Sequence, residues 1–285
     1  MVPINRHHVA KAALALVCLC LSGVKAGAGA NLDNSLFAQS AARILKNEFH
    51  DPGISYLLID TRTGLLLALQ WEDPENPVPT GSLVKPFTAI AYGERHGFDF
   101  PTYYCKGTAG GCWFPRGHRD SGIEAAIANS CNAYFRMLTA GMTGEDLAGT
   151  AQRFGLDVPP LSLSAAGLYG LGNEWSVSPL HLARAYLELG RQRGQPGVRQ
   201  VLAGMIDSAR FGTGSAVGRE LKHWRALVKT GTAPCTHAHR APGDGFTVAL
   251  VPAEQPRLLL LVRVHGVPGS KAACIAGRML SRLEE

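Results

Sequence analysis

The chain contains 285 residues, of which 46% are hydrophobic and 18% are charged. This composition is typical of a globular protein, and the length accommodates one catalytic domain with a sizeable core. The formal net charge of +6 is modest, and half of it comes from Arg6, Lys11 and Lys25, which have no acidic counterpart in the first 30 residues. No tract combines basic runs with aromatic residues, so a nucleic-acid partner is not expected.

Residues 1–30 have the composition of a secretory signal peptide. Arg6 and Lys11 precede an apolar run over residues 12–21, and small residues with overlapping Ala-x-Ala cleavage sites follow. The run is shorter than the roughly 20 residues that a membrane-spanning helix needs. We therefore predict an exported, periplasmic or extracytoplasmic protein whose signal is cleaved, with one domain over residues 31–285. An uncleaved membrane anchor is the alternative.

Five cysteines follow the predicted signal: Cys105, Cys112, Cys131, Cys235 and Cys274. In an exported protein, Cys105 and Cys112 are expected to close a short glycine-rich loop as a disulfide, which contributes roughly 2–3 kcal/mol through loop entropy. Zinc is the competing interpretation. It is disfavoured because the sequence offers neither a second cysteine pair nor a close histidine to complete four ligands. Cys235 and Cys274 are candidates for a second bridge, which leaves Cys131 as the odd thiol.

The apolar periodicity predicts an α+β fold. Strand patterns occur at residues 54–60, 65–70, 227–233, 246–251 and 258–264. Helical patterns occur at residues 34–50, 82–96, 123–129, 134–140, 144–154, 179–193 and 270–285. Two strands early and three late imply one five-stranded antiparallel sheet that the chain leaves and re-enters. We expect this sheet to be flanked by the N- and C-terminal helices, with a large all-helical region inserted after the second strand.

The first segment with chemical potential is Ser82-Leu83-Val84-Lys85. A Ser-x-x-Lys string alone is common by chance, but this copy opens a helix whose Pro86 is tolerated only in the first turn. The helix dipole there favours negative charge on the serine oxygen, and the three-residue spacing brings Lys85 onto the same face. Lys85 can act as a base only if burial or a nearby cation lowers its pKa, and Lys229 could supply that cation. The alternative is an ordinary helix cap followed by a solvated lysine.

The second segment is Ser130-Cys131-Asn132, which lies between two helical patterns. It predicts a tight connection that presents both polar side chains to a cleft. Ser130 is a candidate proton relay to a leaving group, and Asn132 offers a donor and an acceptor to a peptide-like substrate. The alternative is a simple helix stop followed by a helix start.

The third segment, Lys229-Thr230-Gly231-Thr232, fits an edge strand that is open to an incoming chain. Gly231 allows a substrate backbone to lie alongside. The hydroxyls of Thr230 and Thr232 and the charge of Lys229 can hold a carboxylate, and the amides of Thr232 and Ser82 make a candidate oxyanion hole. The alternative is an exposed polar turn at a strand end.

These three segments in this order resemble the transpeptidase domain of penicillin-binding proteins, and the similarity extends over nearly all of residues 50–285. Similar stretches surround the motifs: residues 79–88, 127–135, 176–183 and 228–233. The resemblance implies that a D-alanyl-D-alanine stem peptide of peptidoglycan or a β-lactam acylates Ser82, with Lys85 as base and Ser130 as proton relay. It also implies that Lys229, Thr230 and Thr232 hold the substrate carboxylate. No metal or organic cofactor is expected.

The resemblance leaves three functions open. The first is a D,D-transpeptidase or D,D-carboxypeptidase, and the second is a serine β-lactamase. A class A β-lactamase would need a deacylating glutamate, for which Glu174 is the nearby candidate; its surrounding segment instead resembles that of penicillin-binding proteins. The third is a β-lactam sensor or stem-peptide binding module without turnover, and recruitment of a cell-wall protein partner stays open. His118, where the family often has Gly-His-Gly, is predicted to be structural.

Overall fold

The computed structural model describes residues 28–235 and 243–284, with side chains from residue 36 onward. The chain divides into two compact units, and the fold reported below is that of the larger one, Ala38–Glu285. The predicted signal peptide, residues 1–30, lies outside the described residues except for its last three. Within the described ranges, no helix is both long enough and apolar enough to cross a membrane.

The helices and strands follow the predicted order along the chain. The helices in the described residues are α1 (Ala28–Glu48), α2 (Lys85–Arg95), α3 (Ile123–Ala128), α4 (Asn132–Leu138), α5 (Gly144–Phe154), α6 (Pro179–Arg191), α7 (Val198–Arg210), α8 (Ser215–Glu220) and α9 (Gly269–Glu284). The strands are β1 (Ile54–Asp60), β2 (Leu66–Gln70), β3 (Val78–Pro79), β4 (Tyr103–Cys105), β5 (Arg119–Ser121), β6 (Ser176–Val177), β7 (Leu227–Ala233), β8 (Asp244–Val251) and β9 (Leu258–Val264).

Five strands form one antiparallel sheet in the order β2-β1-β9-β8-β7. The chain leaves this sheet after β2 and re-enters it at β7, which forms one edge. All the intervening elements belong to the inserted region. The predicted fold class is therefore confirmed: an α+β protein with a five-stranded antiparallel sheet and a large, mainly helical insertion.

Strands β1, β7, β8 and β9 of the sheet are buried on both faces. In β1, Leu57 and Ile59 join the apolar cluster formed with the inserted helices. Their neighbours Tyr56 and Leu58 point the other way and join a second cluster with α1 and with α9 residues such as Leu280. Because successive side chains in a strand alternate between faces, a strand covered on both sides must be apolar at nearly every position. The continuous apolar run of β1 follows from this arrangement.

The inserted region contains features that the periodicity did not predict. Two small sheets, β3 with β6 and β4 with β5, accompany the helices. Strands of two or three residues are too short to show a recognisable period. Helix α7 was also missed, although Val198, Val201, Leu202 and Met205 are spaced for one buried helix face.

Candidate active site

The turn that carries Ser82 lies directly against the edge strand β7. Residues Gly81–Val84 form a short 3-10 helix immediately before α2, and Ser82 is half-buried within it. Gly81 has a φ of +58°, and a Cβ atom there would fall 2.2 Å from the carbonyl oxygen of Thr232. Gly231 shows the reciprocal contact, since its Cβ would lie 2.6 Å from the carbonyl oxygen of Thr80. Two glycines thus allow the first and third motifs to meet backbone to backbone.

Lys85 occupies the first turn of α2 and is completely buried. Its Nζ donates to the carbonyl oxygen of Ser130 at 2.9 Å and to Oδ1 of Asn132 at 2.5 Å. The rings of Phe135 and Tyr169 lie 5.3 and 5.7 Å from the same nitrogen. Burial lowers the pKa of Lys85 to about 7, and the nearby cysteine sulfurs oppose this shift. The amine is therefore partly neutral at physiological pH.

The hydroxyl of Ser130 lies between two buried lysine amines. Nζ of Lys229 is 2.9 Å from Oγ of Ser130, and Nζ of Lys85 is 3.5 Å from the same oxygen. Burial and the charge of Lys85 together hold the pKa of Lys229 well below its usual range. Within the described residues, neither lysine forms an ion pair with a carboxylate. Such an arrangement can pass a proton from one amine to another through a hydroxyl.

The second motif is a strained turn between α3 and α4. Ser130 has a φ of +50°, a left-handed conformation that costs a non-glycine residue roughly 1–2 kcal/mol. Nε1 of Trp113 donates to the carbonyl oxygens of Asn129 and Ser130, both at 3.2 Å. The turn directs the Ser130 side chain and the Asn132 side chain to the same buried amine.

The three motifs converge on one open cleft of about 200 Å³. Six of the predicted site residues line it: Ser82, Ser130, Asn132, Thr230, Gly231 and Thr232. Lys85 and Lys229 lie buried beneath this surface and reach it through the Ser130 hydroxyl. The structure thus brings together all eight of the predicted catalytic and substrate-binding residues.

A family model described as the penicillin binding protein transpeptidase domain matches residues 54–281. The chain belongs to this family. It is 26% identical over 193 residues to the peptidoglycan D,D-transpeptidase FtsI of Escherichia coli K12, an alignment that covers 52% of this chain and 32% of FtsI. The chain thus spans about a third of the length of this relative.

Solved structures of the family share the fold of this transpeptidase domain. Pseudomonas aeruginosa PBP2 matches with a TM-score of 0.69 at 18% identity, covering 87% of this chain and 73% of PBP2. The transpeptidase domain of Legionella pneumophila FtsI4 matches with a TM-score of 0.64 at 18% identity, covering 87% of this chain and 95% of that domain. Helicobacter pylori PBP2, in a complex with MreC, matches with a TM-score of 0.71 at 18% identity, covering 87% and 62%.

The transpeptidase cleft also contains residues that sequence reasoning missed. Thr213, in the loop before α8, accepts a 2.7 Å hydrogen bond from the hydroxyl of Thr230. Trp113 and Ser270 line the cleft as well. These residues lie outside the motifs in sequence, so only tertiary packing brings them to the site.

Glu174 does not line the cleft. Its two carboxylate oxygens accept hydrogen bonds from the amide of Ser164 at 2.8 Å and the hydroxyl of Ser164 at 2.6 Å. These bonds lower the pKa of the carboxyl group. Glu174 thus links two positions of an exposed loop. Because its carboxylate already accepts these hydrogen bonds and has a lowered pKa, it is a weak base.

The predicted disulfide between Cys105 and Cys112 is not formed in the structure, where both are buried thiols. The sequence-based expectation that no set of four metal-binding side chains exists is wrong, because the tertiary structure brings four of them together. His118 and Cys131 join the two cysteines, and the four ligand atoms all lie within 4.8 Å of one another. Cys105 and Cys112 are close in sequence, which suggested a loop closed by two cysteines. Cys131 instead belongs to the turn of the second motif.

Proposed function

We propose that this chain is an extracytoplasmic acyl-serine enzyme that binds penicillin and acts on the D-Ala-D-Ala stem peptides of peptidoglycan as a D,D-transpeptidase or D,D-carboxypeptidase. The observation that carries the proposal is the pair of buried lysine amines on either side of the Ser130 hydroxyl, in a cleft that Ser82 lines. Family membership supports the same conclusion.

In the proposed acylation step, Oγ of Ser82 attacks the carbonyl carbon of the penultimate D-alanine while Lys85 accepts the hydroxyl proton. A base of pKa near 7 suits this role, since much of it is already neutral at the working pH. The amides of Ser82 and Thr232 stabilise the developing oxyanion, which the close packing of these two backbones supports.

Collapse of the tetrahedral intermediate breaks the peptide bond and releases the terminal D-alanine. Ser130 gives its proton to the leaving amine and recovers one from the adjacent lysines, 2.9 and 3.5 Å away. The terminal carboxylate lies against Lys229 and the hydroxyls of Thr230 and Thr232, while Asn132 pairs with the peptide amide. An acceptor amine or water then resolves the acyl-enzyme and regenerates the Ser82 hydroxyl.

The proposal extends to the surroundings of the enzyme. Residues 1–30 would direct export and be removed, leaving a domain over residues 31–285 outside the cytoplasm. A cell-wall protein is a fitting partner, because a structural relative, H. pylori PBP2, forms a complex with MreC.

A fluorescent penicillin combined with intact-mass measurement tests the proposal. We expect a stable adduct of one β-lactam on the native protein, abolished by Ser82→Ala and retained in the control Ser281→Ala, a half-buried serine of α9 whose hydroxyl donates to a carbonyl oxygen of the same helix. Rapid loss of the adduct with release of hydrolysed drug would instead indicate a β-lactamase. A folded native protein that never forms an adduct would refute both enzymatic functions and would favour the binding module.

A further inference from the structure

We propose that Cys105, Cys112, His118 and Cys131 bind one zinc ion, and that this ion holds the Ser130–Asn132 turn in place beside the cleft. Three thiols and an imidazole are the donors that structural zinc sites use. All three cysteines are buried, and His118 is half-buried. The set therefore has the chemistry of a closed structural site rather than of an open catalytic one.

Three separations between ligand atoms match the edges of a zinc tetrahedron. Zinc bonds of about 2.3 Å to sulfur and 2.0–2.1 Å to nitrogen place two sulfurs about 3.8 Å apart, and a sulfur and a nitrogen about 3.6 Å apart. The structure has 3.8 Å between the sulfurs of Cys112 and Cys131. Nδ1 of His118 lies 3.5 Å from the sulfur of Cys112 and 3.7 Å from that of Cys105.

The β4–β5 hairpin is shaped to bring two of these ligands together. Cys105 ends β4 and pairs with Arg119, the first residue of β5, so that His118 lies next to it. Gly107 and Gly117 cross closely at this point, both with positive φ. A Cβ on Gly107 would lie 2.0 Å from a carbonyl oxygen across the loop, and one on Gly117 would lie 2.1 Å from the carbonyl oxygen of Cys105. The two strands of the loop thus approach each other closely at this point, and glycine is required at both positions.

The remaining two ligands join this hairpin loop to the active-site turn. Cys112 lies in the loop, and Cys131 is the middle residue of the second motif. Trp113, next to Cys112, donates to the carbonyl oxygens of Asn129 and Ser130. A metal bound by all four ligands would therefore fix the left-handed Ser130 against the hairpin from two sides. His118 also lines a cavity of about 430 Å³ beside the cluster.

A disulfide is the rival arrangement, because exported proteins commonly oxidise neighbouring cysteines. A bond between any two of Cys105, Cys112 and Cys131 would leave the third thiol and the imidazole of His118 without a shared partner. Zinc would use all four groups, whose ligand atoms lie within 4.8 Å of one another, whereas a disulfide requires two sulfurs to approach to about 2.05 Å. The observed geometry favours the metal.

Metal content and cobalt substitution test the site independently of any activity. We expect one zinc per chain in the protein purified without chelators. After exchange with Co²⁺, we expect intense visible d–d bands and a near-ultraviolet thiolate-to-metal charge-transfer band. His118→Ala and Cys105→Ser should lose the ion or change these bands, whereas the control Cys274→Ser, outside the cluster, should retain both. Native protein that takes up neither metal, or whose mass under non-reducing conditions shows a disulfide among these cysteines, would overturn the proposal.

The positioning role rests on the proposed function and needs a second readout. Cys105 does not line the cleft, yet Cys105→Ser should slow β-lactam acylation at least tenfold. A core variant away from the site, Leu45→Ala in α1, should lower the melting temperature yet keep both the zinc and the acylation rate. Acylation of Cys105→Ser at the native rate would overturn the positioning role. Zinc-loaded native protein that is never acylated would instead refute the proposed function and leave the metal site standing.

Discussion

The pH dependence of acylation follows from the burial of Lys85. With a pKa of about 7, about a tenth of the amine is neutral at pH 6 and about nine-tenths at pH 8. Burial depresses the pKa of this base, so activity is lost as the pH falls through 7 and is retained above it. We therefore expect the acylation rate constant to rise about tenfold between pH 6 and pH 8 and then level off. A lysine with the ordinary pKa of 10.5 would give a rise of about a hundredfold over the same interval, with no plateau.

The assay is the second-order rate constant for labelling by a fluorescent penicillin, measured at constant ionic strength from pH 5.5 to pH 9.5. Lys46→Ala, which removes an exposed lysine of α1, should leave the profile unchanged. In Lys85→Ala, labelling itself should be lost, so that no pH profile remains. A rate that keeps rising tenfold per pH unit above pH 8, or one that is flat throughout, would refute a neutral Lys85 as the base.

Three further predictions concern neighbouring residues. Gly81→Ala should reduce acylation by more than a hundredfold, because the new methyl group would lie 2.2 Å from a β7 carbonyl oxygen. The control Gly149→Ala, on the open face of α5, should instead stabilise the fold by up to about 1 kcal/mol. Thr213→Ala should slow acylation roughly two- to tenfold through loss of its hydrogen bond with Thr230. Glu174→Ala should leave the lifetime of the penicillin adduct unchanged while lowering the melting temperature, because Ser164 loses its acceptor.

Labelling kinetics and thermal melts measure all three predictions. Acylation of Gly81→Ala at the native rate would show that the first and third motifs need not touch. An unaltered acylation rate in Thr213→Ala would show that this hydroxyl has no role in acylation. A longer-lived adduct in Glu174→Ala would make this residue a deacylation base and revive the β-lactamase interpretation.

Local patterns were sufficient for most of the fold. The apolar runs of β1, β7, β8 and β9 and the amphipathic α9 were recognisable because burial on one or two faces dictates residue type along an element. The glycine-rich β4–β5 loop has no such period, and its sequence predicted only a disulfide between Cys105 and Cys112. The proposed ligands Cys131 and His118 belong to different elements, and long-range packing brings them together.

The sequence by itself determined the family, the five-stranded sheet and the three short motifs, because each depends on residue type and spacing over a few neighbouring positions. Tertiary structure alone decided that both lysines are buried around the Ser130 hydroxyl, and burial is what lowers their pKa values. It also decided that three cysteines and a histidine meet beside the active-site turn. Desolvation and ligand geometry are properties of the packed chain, and no stretch of sequence carries them alone.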